Sequence, residues 1–135
     1  MIKQSVEYID NNINARLLDI FVTGPTRIYL SQFVKNKTLK LYLLLEGIFV
    51  ILFNAHNYLY FDKKNSPFSI DFLIKYNHPI KGKPQLHRLY NLFIMYPMHI
   101  YIMATNNFTK IQLFLFLFVI TVPGFTYNLY NYLNY

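Results

Sequence analysis

Residues 39–61 read LKLYLLLEGIFVILFNAHNYLYF, and this stretch decides the fold because it is long and apolar and contains a single acid, Glu46. A helix needs about 20 predominantly apolar residues to cross the hydrocarbon core of a bilayer. An ionisable side chain at that depth is costly and usually has a partner. We therefore expect a transmembrane helix whose one acidic residue faces another part of the protein.

Three further apolar runs, at residues 13–34, 86–104 and 111–130, have a similar length. The first is the most polar, and Pro25 is expected to kink or break it. It either spans the bilayer or lies at the interface as an amphipathic helix. The predicted fold is an all-α integral membrane bundle of four, or alternatively three, transmembrane helices. Residues 1–135 then form a single membrane domain with a basic 24-residue surface loop at 62–85.

Composition supports this class of protein. Hydrophobic residues make up 54% of the chain, and charged residues 14%, against about 25% charged residues in an average soluble domain. Cysteine is absent, which excludes disulfides, thiolate metal sites and a cysteine nucleophile. The net charge of +7 comes mostly from lysines in short segments between apolar runs. That pattern is typical of membrane loops and argues against a nucleic-acid partner.

The distribution of basic residues predicts an orientation. In a four-span arrangement, one side holds eight basic residues: Lys3, Arg16, Lys63, Lys64, Lys75, Lys81, Lys83 and Arg88. The other side holds four: Lys35, Lys37, Lys40 and Lys110. The termini and the long loop should therefore face the more positive side, usually the cytosol. Within that loop, Lys63, Lys64, Lys81 and Lys83 are the candidate contacts to anionic lipid or to a partner protein.

Counting residues from the turn near 36–37 places two charged side chains at the same depth. Arg27 lies seven residues before Val34, and Glu46 lies seven residues after Leu39. At about 1.5 Å per residue, both lie roughly 10 Å inside the same surface. We expect a salt bridge between the first two helices; alternatively, Arg27 extends to the interface and Glu46 is protonated or faces a neighbouring protein. The same count puts Asp19 level with Asn54 and within a turn of His56.

Segment three carries a polar stripe. With about 100° per residue, His87, Arg88, Asn91 and His99 fall in one sector about 120° wide, which should face other helices. The opposite face holds apolar and aromatic residues, Tyr96 among them. Arg88 lies near the surface opposite to Glu46, so these two residues should not meet.

No catalytic or metal-binding motif accompanies these residues. The histidines lack the one-turn spacing of a helical zinc pair, and there is no phosphate loop, nucleophile elbow or paired-carboxylate motif. His56 and His99 could formally be axial haem ligands, but helix–helix hydrogen bonding is the expected role. We expect no cofactor and no enzymatic activity. A membrane-embedded enzyme that uses the His/Arg/Asn face is the third alternative.

Four stretches resemble small, uncharacterised multi-span membrane proteins of nucleocytoplasmic large DNA viruses: LLDIFVTGPTRIYL (17–30), FNAHNYLYFD (53–62), HPIKGKPQLHRLYNLFIMYP (78–97) and FTYNLYNYL (125–133). The resemblance implies a multi-pass protein of a virion or host-derived membrane, with capsid or other membrane proteins as partners. It implies no catalytic residues. The abundance of residues with A/T-rich codons also suits a second function, a hydrophobic accessory subunit of a mitochondrial energy-transducing complex in the inner membrane.

Overall fold

The computed structural model describes residues 13–59 and 86–134, and these residues form helices and short turns without a strand. We label four helices: α1 comprises residues 13–31, α2 is Lys37–Leu59, α3 comprises residues 86–105 and α4 is Lys110–Asn134. Each of the four predicted apolar runs contains a helix. The boundaries differ at several ends, because α1 stops at Ser31, α2 starts at Lys37 and α4 extends to Asn134.

Each of the three helices that contain a proline has a π-helical turn just before it. The π turns are Asp19–Thr23 in α1, Asn91–Met95 in α3 and Leu115–Thr121 in α4, and each ends two residues before Pro25, Pro97 or Pro123. Proline has no N–H and its ring collides with the carbonyl one turn earlier.

In each case the residue before the proline donates its N–H five residues back, to Asp19, Asn91 or Leu117. The wider turn accommodates the ring, so the helix continues. Of the two outcomes expected at Pro25, a kink or a break, the break does not occur, because α1 runs through it as Gly24–Ser31. The helix without a proline, α2, is described as uninterrupted α-helix.

The π turn in α3 also corrects the position predicted for Tyr96. An uninterrupted helix would place Tyr96 on the face opposite the polar stripe, but the side chain is buried at 3% exposure. A π turn holds one extra residue, which rotates everything after it by about 100°. That rotation brings Tyr96 into the sector of Arg88 and Asn91. His99, three residues later, turns with it and stays beside it, with ring centroids 5.6 Å apart.

The two turns are fixed by side-chain hydrogen bonds. Asn36 caps α2, because its Oδ1 accepts from the N–H groups of Thr38 and Leu39. Thr109 and Gln112 form a reciprocal capping box at the start of α4. Lys35 N–H donates to Asn106 Oδ1 at 2.8 Å. This bond places the α1–α2 turn and the α3–α4 turn at the same end of the bundle.

The helices bury polar side chains together with a small apolar cluster. That cluster lies near the turns and consists of Leu30, Val34, Leu43, Ile102, Phe108, Phe116 and Ile120. Large apolar side chains are exposed on the outer surface, including Phe21 at 73%, Phe49 at 60% and Phe93 at 74%. Charged and amide side chains lie inside, among them Arg27, Arg88, His99, Asn128 and Asn131. Soluble domains usually show the opposite distribution.

Two of the described helices are long and apolar enough to cross a membrane. They are Lys37–His56 within α2 and Lys110–Asn134, and the most apolar 18 residues of each have a mean hydropathy of 1.7. Only 11% and 22% of the residues in these apolar stretches are buried, whereas the central helix of a soluble protein is mostly buried. The remaining two helices are more polar, and α1 contains Arg16, Asp19 and Arg27.

Glycines allow α1 and α2 to approach closely. A Cβ atom on Gly47 would lie 2.8 Å from Ile28 Cγ1 and 2.9 Å from the Gly24 carbonyl oxygen. A Cβ atom on Gly24 would overlap Ile51. Small residues at a crossing bring two backbones together and shorten the reach between side chains. The approach at Gly47 lies next to Glu46 and so positions that carboxylate against α1.

Candidate functional site

The predicted salt bridge between α1 and α2 is present. Arg27 Nε donates to Glu46 Oε2 at 2.9 Å, and the two side chains are only 5% and 8% exposed. Arg27 Nη1 also donates to the Thr23 carbonyl oxygen at 3.1 Å. That carbonyl lies in the π turn of α1, so the guanidinium is held by its own helix as well as by its partner.

A third helix joins this pair through His99. Its Nε2 lies 2.9 Å from Glu46 Oε1 and 2.7 Å from Oε2. The ring is fully buried, with Tyr96 and Phe116 packed edge-on against it. Because an ionised carboxylate only accepts hydrogen bonds, Nε2 must carry the proton in this contact. Glu46 therefore accepts from donors on both α1 and α3.

The fourth helix completes the cluster through Thr121. The Thr121 hydroxyl lies 3.4 Å from His99 Nδ1 and donates to the Phe116 carbonyl oxygen at 2.8 Å. We call Arg27, Glu46, His99 and Thr121 the polar centre. It takes one residue from each helix, and Thr121 lies in the π turn of α4. Buried polar groups that are mutually hydrogen-bonded fix one arrangement of their helices.

Asp19 extends the polar centre along α1. Thr23 donates from its hydroxyl to Asp19 Oδ1 at 2.6 Å, and its carbonyl oxygen accepts from Arg27. Asp19 was expected at the level of Asn54. Asn54 donates to the Val50 carbonyl of its own helix, which is a common way to satisfy a polar side chain in apolar surroundings.

A second polar cluster lies between α3 and α4, towards the end of the bundle opposite the turns. Asn91 donates to Asn128 Oδ1 at 3.1 Å, and Asn128 Nδ2 donates to the Tyr96 hydroxyl and to the Gly124 carbonyl. The Arg88 guanidinium lies 5.8 Å from the centre of the Tyr127 ring. We call Asn91, Tyr96 and Asn128 the amide cluster. Gly124 is required here, because a Cβ atom would overlap the Tyr96 hydroxyl.

The predicted polar stripe of α3 thus faces the other helices but divides between two sites. His99 belongs to the polar centre, Asn91 belongs to the amide cluster, and Arg88 is buried against α4. The expected separation of Arg88 from Glu46 is consistent with this arrangement, yet His99 of the same stripe does meet Glu46. The side chain of His87 and the loop lysines Lys63, Lys64, Lys81 and Lys83 lie outside the described residues.

Sequence reasoning named His99 but missed its pairing with Glu46, and it did not single out the buried residues Thr121 and Asn128. His99 was not matched to Glu46, although a depth count from the turn at residues 106–109 would have placed them together. Thr121 gives no signal, because an apolar run such as LFLFVIT tolerates a threonine anywhere. Asn128 was not singled out, because its partner Tyr96 reaches it only through the rotation produced by the π turn.

In the polar centre, the hydrogen-bonding atoms of Glu46 and His99 face other protein groups. Glu46 is occupied by Arg27 and His99, and both nitrogens of the His99 ring face protein groups, which leaves neither directed at a haem iron. Within the residues that the structure describes, no three histidine, aspartate or glutamate side chains are grouped so that they could hold a metal.

A groove between α3 and α4 is nearly apolar. Its lining consists of Leu92, Tyr96, Pro97, Ile100, Leu117, Thr121, Val122, Phe125 and Thr126. Thr121 is the member of the polar centre that borders it. The other three residues of the polar centre, Arg27, Glu46 and His99, do not line this groove.

No protein-family model, curated protein or solved structure matches the chain.

Proposed function

We propose that this chain is an integral membrane protein whose four helices span the bilayer, and that its role is structural or in assembly. The observation that carries the proposal is the distribution of side chains in the bundle. Arg27, Glu46 and His99 lie inside and are bonded to one another, as are Asn91 and Asn128. Phenylalanine, leucine and isoleucine side chains cover the outside. A bilayer favours this arrangement, because apolar surface costs nothing in hydrocarbon and exposed charge costs much.

The hydrogen bonds of the less buried polar residues agree with apolar surroundings. Thr26, Thr105 and Asn134 are each bonded to the carbonyl oxygen four residues earlier in their own helix. In water such groups need no internal partner, whereas in hydrocarbon an unsatisfied polar group costs several kcal/mol, about the strength of the bond it lacks. A polar centre whose side chains are hydrogen-bonded to one another favours a scaffold over a catalyst.

The membrane that we favour is a virion or host-derived membrane of a large DNA virus. Support comes from the A/T-type composition and from the resemblance of four stretches to multi-span proteins of such viruses. In this setting the lysine-rich segment 62–85 is the surface that would contact anionic headgroups or a capsid partner. An accessory role in a mitochondrial energy-transducing complex is the second candidate, because Glu46 and His99 form a buried pair of ionisable groups between helices.

Fractionation with alkaline carbonate tests both parts of the proposal. Purified virions and purified mitochondria from the native source would each be extracted and probed with an antibody against residues 62–85. We expect the protein in the carbonate-resistant membrane pellet of virions and its release only by detergent. Release by carbonate alone would contradict integral insertion. Recovery from mitochondria but not virions would overturn the viral assignment in favour of the second candidate.

A further inference from the structure

The Thr121 hydroxyl has two buried acceptors within reach but one proton to give. Its oxygen is 2.8 Å from the Phe116 carbonyl oxygen and 3.4 Å from His99 Nδ1. The shorter contact must be a donated bond, because a carbonyl oxygen cannot donate. In that geometry the hydroxyl presents only lone pairs to the His99 ring.

The protonation of His99 therefore decides whether its second nitrogen is satisfied. Nε2 already carries a proton, through which it donates a hydrogen bond to Glu46. If Nδ1 is unprotonated, its lone pair faces the lone pairs of Thr121 inside a fully buried site. If Nδ1 is protonated, it donates to Thr121, and the chain from Glu46 through His99 and Thr121 to Phe116 is satisfied at every atom.

Of the charged groups around His99, the Glu46 carboxylate favours an added proton on the ring, and the Arg27 guanidinium disfavours it. The α2 carboxylate of Glu46 faces the ring directly, and the α2 phenol of Tyr42 lies beside Glu46. The α1 guanidinium of Arg27 shares the same carboxylate. Tyr96 of α3 packs edge-on against the ring, and α4 contributes the uncharged Thr121 and Phe116. One anion is thus shared by one fixed cation and one imidazole that can gain or lose charge.

We propose that His99 Nδ1 is a proton-binding site, and that its occupancy sets the direction of the Thr121 hydroxyl between α3 and α4. With the proton bound, Thr121 donates to Phe116 and accepts from His99. When the proton leaves, the hydroxyl turns to donate to Nδ1, and the Phe116 carbonyl in the π turn loses that bond. The inference goes beyond a structural role, because it makes the α3–α4 contact responsive to pH whichever membrane holds the protein.

Nitrogen-15 NMR of the full-length protein in lipid bilayers tests the proposal. Substitution of His56, His78 and His87 by Gln leaves His99 as the one labelled histidine, since the chain has four. We expect Nε2 to stay protonated at every pH, while Nδ1 changes between the protonated and the unprotonated form in a single step. Thr121→Val should weaken proton binding about tenfold, because it removes the acceptor for a charged donor.

Two variants control this experiment. Thr126→Val makes the same change on the same helix, where the structure shows no bond to His99, and should leave the titration unchanged. Thr121→Ser retains a hydroxyl and should restore the wild-type midpoint. Nδ1 that stays unprotonated from pH 4.5 to 9, or an equal effect of the two valine substitutions, would overturn the proposal. The spectrum reports on the ring itself, so this result is independent of the fractionation that tests the proposed function.

Discussion

Glu46 accepts hydrogen bonds from Arg27 and His99, which lie on two other helices, within a site from which solvent is nearly excluded. Removing one partner from such a pair leaves a buried charge without compensation, at a cost of about 3–5 kcal/mol. Exchanging the two charges between the helices therefore tests the ion pair more directly than deleting either charge does.

Arg27→Glu and Glu46→Arg should each destabilise the bundle by at least about 3 kcal/mol, because each places like charges together. The double variant restores an opposite pair and should recover part of that loss. Recovery should be incomplete, because His99 Nε2 then faces an arginine and loses its acceptor. The measurement is the free energy of unfolding in mixed micelles. Lys40→Glu, an exposed charge reversal on α2, is the control and should change stability by less than about 0.5 kcal/mol. A double variant no more stable than either single would show that the pair contributes nothing.

For individual residues, the sequence predicts those pairs of side chains whose contact follows from equal depth in the membrane alone. Arg27 and Glu46 could be matched because both are charged residues in adjacent runs joined by a short turn. Thr121 could not, since a hydroxyl in an apolar run has no distinguishing pattern. Tyr96 could not be placed correctly either, because its direction depends on a π turn rather than on regular helical periodicity.

The three π turns position several of the polar side chains that connect the helices. Each lies before a proline, and they contain Asp19 and Thr23, Asn91, and Phe116 and Thr121. These residues take part in the polar centre, its extension along α1 or the amide cluster. Pro25 was predicted to kink or break its helix, and the structure shows that the disturbance at each of the three prolines is absorbed within one wide turn. Sequence alone locates a disturbance at a proline, but which hydrogen bonds replace the missing one depends on the neighbouring helices.

The α1–α2 crossing depends on Gly47. Gly47→Ala should destabilise the protein by about 1–3 kcal/mol, because the added methyl group would press on Ile28 and on the Gly24 backbone. The separation of the two helices should increase and weaken the Arg27–Glu46 bond. Thermal unfolding in lipid bicelles measures the loss. Ala104→Val adds more volume at an exposed position of α3 and should be nearly neutral. Equal stability of Gly47→Ala and wild type would rule out the close approach.

Across the whole molecule, the prediction of four helices agrees with the structure over the residues described. Their lengths follow from apolar runs, and their order in space follows from the two short turns, which meet through Lys35 and Asn106. The sequence could not show that polar residues from all four helices converge. That convergence requires the particular rotations of α3 and α4, which hydropathy does not encode.

The central claim is that the apolar outer surface of the bundle faces lipid. Since the chain has no cysteine, single spin labels can be attached through Phe21→Cys, Phe49→Cys, Phe93→Cys and Phe118→Cys, one on the exposed face of each helix. Asn107→Cys in the exposed turn is the aqueous reference. Electron paramagnetic resonance in bilayers then compares collisions with oxygen, which concentrates in lipid, and with a water-soluble nickel chelate. We predict that oxygen dominates at the four phenylalanine positions and nickel dominates at position 107. Nickel accessibility at the phenylalanine positions equal to that at position 107 would contradict the membrane bundle.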